Sequence, residues 1–81
     1  MIIKFNLDTG LLYLHFSTGV PNIQMPTAND DISKFVAKAN KDQIVGYEVE
    51  DAEKNLTFVL EKLGLNRKQK LAVVMCFIRE K

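Results

Sequence analysis

The feature that most constrains this chain lies near its end. Leu71-Ala72-Val73-Val74-Met75-Cys76-Phe77-Ile78 is an unbroken apolar run within a helical stretch from Arg67 to about Arg79. A surface helix carries one apolar stripe and one polar face, whereas this run reaches every side of a helix. It should therefore be buried all round. The chain has 81 residues, read as a single domain over 1–81 with a modest core. One small sheet cannot enclose a helix on all sides, so the helix is expected to meet another chain. Leu71, Val74, Met75, Phe77 and Ile78 are the candidate interface residues, and a homodimer is the expected assembly.

Small domains often add disulfides, a metal or a partner to a thin core. Cys76 is the only cysteine, which excludes a disulfide within the monomer, and one His with one Cys cannot build a zinc site. Cys76 reads instead as a small buried hydrophobe in a reducing compartment. A hydrophobic fraction of 47% is ample for a core. Met1-Ile2-Ile3-Lys4-Phe5 lacks the basic stretch and long apolar run of a signal peptide. No segment approaches the ~20 apolar residues that span a bilayer. The expectation is a cytoplasmic protein with no membrane contact and no cofactor.

Period-two alternation marks the strands. Ile3, Phe5 and Leu7 share one face of a strand at about 2–7. Leu12, Leu14 and Phe16 share one face of a second at about 11–16, with Leu11, Tyr13 and His15 on the other. Asp8-Thr9-Gly10 between them makes a hairpin turn, with Asp8 suited to bond nearby amides and Gly10 to supply positive φ. Ser17 to Asn29 holds Pro21, Pro26 and Gly19 and is the longest irregular stretch. Asn22-Ile23-Gln24-Met25 could form a short edge strand within it, where proline is tolerated. Otherwise the stretch is a functional loop or crosses a sheet edge.

Residues 32–39 alternate as a strand, although Asp30 or Asp31 could cap a helix there. Asn40-Lys41-Asp42 is a turn, and the run from Gln43 to Glu50 is a strand with Val45, Tyr47 and Val49 on one face. A hairpin of 32–39 with 43–50 is the more economical reading. Asp51 is then expected to cap a helix over about 52–63, with Glu53 favouring its positive end and Leu56, Val59, Leu60 and Leu63 as its apolar stripe. Gly64 stops that helix, and Asn66 caps the next over about 67–79. The expected fold is α+β: a four-stranded antiparallel meander followed by two helices.

Charge is unevenly placed. Residues 41–65 carry Lys41, Lys54 and Lys62 against Asp42, Glu48, Glu50, Asp51, Glu53 and Glu61, a net −3. Residues 66–81 carry Arg67, Lys68, Lys70, Arg79 and Lys81 against Glu80, a net +4. The two segments either face each other, within a chain or across a dimer, or the basic one meets an anionic partner. Arg67, Lys68 and Lys70 are the candidate anion contacts, because cations in a first turn oppose the helix dipole and phosphate suits that end. Three charges with no interleaved aromatics make nucleic acid the weaker reading.

Two stretches resemble a known family. Phe5-Asn6-Leu7-Asp8-Thr9-Gly10-Leu11-Leu12-Tyr13-Leu14 is similar to the opening hairpin of a small prokaryotic family known as domain of unknown function 2283. Ile44-Val45-Gly46-Tyr47-Glu48-Val49-Glu50-Asp51-Ala52 is similar to its closing strand. The resemblance covers roughly residues 2–53. The turn at 8–10 lacks the usual Asp or Ala before the second strand, Val20 to Asn29 matches nothing in the family, and the helical region runs past where typical members end. The resemblance implies a small meander with a helix against it. It transfers no functional residues. An antitoxin-like role, as partner of a small basic toxin, follows only by association with neighbours of some members.

Enzymatic chemistry finds little footing. His15 is the only histidine, and no motif supplies a nucleophile or orienting carboxylate for it. Glu48 and Glu50, with Asp51 and Glu53 adjacent, could hold a hard cation but equally form a solvated strand face and an acidic helix start. No catalytic, metal or cofactor residue is assigned. The leading expectation is a non-enzymatic interaction protein, probed by its assembly state. The alternatives are the antitoxin-like partner of a toxin or nucleic acid, and a small enzyme using His15.

Overall fold

Alternation builds the first hairpin. In the computed structural model, which describes residues 1–80, β1 (Ile2–Asn6) pairs antiparallel with β2 (Leu11–His15). The turn is organised by Asn6 rather than by Asp8. The Asn6 Oδ1 accepts from the amides of Asp8 at 2.9 Å and Thr9 at 3.2 Å, and its carbonyl accepts from Gly10 at 2.8 Å. Gly10 takes the positive φ of 73° that closes such a turn.

Three further strands follow: β3 (Asn22–Pro26), β4 (Ile32–Ala37) and β5 (Ile44–Val49). All pairs are antiparallel, in the order β1-β2-β5-β4-β3. The sheet thus has five strands where four were expected, and it is not a simple meander. The added strand is the 22–26 segment. Its register sets Ile23 against Val36 and Pro26 against Ser33, and its other side is the sheet's free edge. An edge is where a proline costs no ladder bond.

Chain order fails to predict the neighbours because β2 pairs with β5. Leu12 sits opposite Val49 and Leu14 opposite Tyr47, which joins the two most apolar strand faces at the middle of the sheet. Residues 17–21 carry the chain past the end of β4 and the start of β5. Phe16 donates to the Val45 carbonyl at 2.7 Å on one side, and Lys38 donates to the Pro21 carbonyl at 2.9 Å on the other. The long irregular stretch is therefore part crossing, part edge strand. Residues 32–39 resolve as a strand, shortened to 32–37.

The first helix, α1 (Leu56–Lys62), begins later than expected. Asp51 does not cap it. Asp51 adopts a left-handed φ of 50°, and the amide of Ala52 donates to the Gly10 carbonyl at 2.8 Å, which draws the chain toward the first hairpin. Asn55 precedes the helix without capping it. Its Nδ2 donates instead to Asp31 Oδ2 and to the Glu50 and Asp51 carbonyls, tying the β5 end to the β3–β4 loop. Gly64, at φ 69°, ends the helix as expected.

The second helix, α2 (Arg67–Glu80), follows the Asn66 cap. The Gln69 amide donates to Asn66 Oδ1 at 2.8 Å and the Asn66 amide donates to Gln69 Oε1 at 2.9 Å, a reciprocal capping box. Leu12, Leu14, Ile32, Val49, Val59 and Val73 are fully buried between the sheet and the helices. The Phe5 and Phe77 rings stack 4.2 Å apart, fastening α2 to β1. Burial of α2 is one-sided in this chain. Val73, Cys76 and Phe77 face the core, while Leu71 is 62% exposed, Met75 48% and Ile78 62%.

Candidate functional site

The outer face of α2 is the most conspicuous surface. Leu71, Met75 and Ile78 recur at four- and three-residue steps, which places them in one stripe along a helix. That stripe points away from Val73, Cys76 and Phe77, the side packed on the sheet. Val74 is half-buried at its margin. Of the candidate interface residues, Leu71, Val74, Met75 and Ile78 are thus brought together on the outside. Phe77 is not among them, because its ring is spent against Phe5. Met75 also borders Met1, Ile3, Ala72 and Arg79 in a shallow cleft at the β1 edge, which extends the apolar surface.

Arg67, Lys68 and Lys70 are exposed at the start of the same helix. No acidic residue occupies the first turn, so no charge there matches the helix dipole. The capping box already uses the Gln69 amide, which leaves fewer free donors for an anion. Any pairing of the acidic 41–65 segment with this basic group within the chain does not extend to Glu48. Glu48 shares its register row with Tyr13 and Ser33, on the sheet face opposite the helices, and accepts from Gln24 Nε2 at 2.9 Å.

That open face holds a second cluster. The Tyr13, His15 and Phe35 rings lie 5.6–6.1 Å apart, grouped around Gly46, which stands opposite both His15 and Phe35. A Cβ on Gly46 would press on the Leu14 carbonyl oxygen and come within 3.0 Å of His15 Cδ2. The glycine is therefore the dent that lets the rings converge. A glycine inside an otherwise apolar strand run is the sequence signal for such a close approach.

His15 gains no catalytic partner in this arrangement. Its Nε2 lies 3.5 Å from Asn22 Nδ2, and its ring meets those of Tyr13 and Phe35. A groove of about 900 Å³ runs along β1 past Leu11 and Tyr13, and His15 is not in its lining. Among the described residues, no three His, Cys, Asp or Glu side chains gather as a metal site. No described helix is long and apolar enough to cross a membrane. Burial raises the Tyr47 phenol above its ordinary pKa.

Comparison with family models, curated proteins and solved structures finds no match for this chain.

Proposed function

We propose that this chain is a non-enzymatic interaction protein that self-associates through the outer face of α2. The observation that carries the reading is the stripe of Leu71, Met75 and Ile78, each about half exposed or more, on a helix whose other side is already packed. Uncovered apolar stripes on small domains mark interaction sites or invite aggregation. Covering these three side chains removes apolar area from water, at about 25 cal/mol per Å². The reading also accounts for the apolar all-round character of 71–78: one side serves the chain's own core and the other serves a partner.

Sedimentation equilibrium tests it. At micromolar concentration the expected mass is twice the 9.2 kDa of one chain. A monomer across that range overturns the proposal.

A further inference from the structure

We infer that the second copy adds its own β1, antiparallel, to the free edge of β1, so that one sheet runs through both chains. The inference rests on the self-association proposed above and adds the backbone seam that continues it. Three side chains on α2 are too little by themselves. At on the order of 100 Å² each, they fall well short of the roughly 800 Å² per partner that a stable pair buries. The surface next to them is the β1 edge. Met75 of the stripe shares a cleft with Ala72, Met1 and Ile3, and Phe77 of the same helix stacks on Phe5. A strand laid along β1 therefore also brings its own chain against the Ala72 and Met75 side of α2.

The edge is equipped for a strand. Phe16 donates to the Val45 carbonyl, and peptide groups alternate sides along a strand, so Leu12, Leu14 and Phe16 bond toward β5. Leu11, Tyr13 and His15 then bond toward β1, to their register partners Asn6, Lys4 and Ile2. The N–H and C=O groups of Ile3 and Phe5 therefore point out of the sheet, and among the described residues no backbone group meets them. The opposite edge is blunted: β3 ends in Pro26 and follows Pro21, whereas β1 holds no proline. Two antiparallel copies of one edge supply each other's donors and acceptors, and a two-fold axis closes the pair. Centring it on Ile3 sets Lys4 opposite Ile2 of the other copy. The two Lys4 side chains then do not stand directly opposite each other, which like charges disfavour.

Amide hydrogen exchange of the wild-type chain, followed by NMR, tests the seam. The amides of Ile3 and Phe5 are free in one chain and bonded in the pair. They should exchange about tenfold more slowly when free chain stands at ten times the dimer's dissociation constant than when it stands far below it. The Lys4 amide, bonded to β2 in either state, checks that the hairpin is formed at both concentrations. A dimeric wild type whose Ile3 and Phe5 amides exchange at the same rate at both concentrations overturns the seam and leaves the α2 contact standing. Slowed Ile3 and Phe5 amides, in a chain that still dimerises as Met75→Lys, support the seam and overturn the α2 stripe as the main contact. A monomeric wild type overturns both.

Discussion

Gly46 illustrates how one residue shapes a surface. Its missing side chain admits His15 and keeps the Leu14 carbonyl in the ladder. Gly46→Ala should destabilise the fold by roughly 1–3 kcal/mol, the usual cost of overpacking. Urea unfolding measures it, and an unchanged midpoint would show that the strands yield freely. Tyr47 makes a second residue-scale prediction. Burial raises its pKa, so the folded state holds the phenolic proton more tightly than the unfolded chain. Its contribution is full below the ordinary tyrosine value of about 10 and is lost as pH rises through the raised value. Tyr47→Phe should therefore lose less stability than wild type between neutral and strongly alkaline pH. Equal losses in the two proteins would contradict the assignment.

At the scale of elements, the capping box of α2 is the clearest local device. Asn66→Ala should cost about 1 kcal/mol of stability, read from the thermal midpoint. Asn66 was legible in the sequence because its role is local: the residues it serves lie within one turn. Asp51 looked like an equally good cap and is not one. Its conformation is set by the bond from Ala52 to Gly10, forty-odd residues away in the chain, which no local pattern reveals. The runs at 2–7, 11–16 and 43–50 were legible from alternation alone. The 22–26 strand also alternates, with Ile23 and Met25 half-buried and Gln24 exposed. The sequence admitted it only as a possible edge strand at 22–25, between Pro21 and Pro26, and it was not counted among the four expected strands; at a sheet edge the prolines do no harm.

At the scale of the molecule, strand order was not legible. A meander is the default when neighbours in sequence pair, but here burial of Leu12, Leu14, Tyr47 and Val49 together places β5 beside β2. The prolines then confine β3 to the far edge. The candidate site was legible in composition but not in orientation. The run 71–78 showed that α2 has more apolar surface than one side needs. Only the fold shows that Phe77 turns inward to Phe5 while Leu71, Met75 and Ile78 turn out.

The central claim is that this outward stripe is an interface between chains. Sedimentation equilibrium of wild type beside Met75→Lys tests it most directly. The lysine sits at a position already 48% exposed, so the fold should persist and only assembly should suffer. The expected result is a wild-type dimer and a folded Met75→Lys monomer at the same micromolar concentration. A folded variant with the same mass as wild type would contradict the claim.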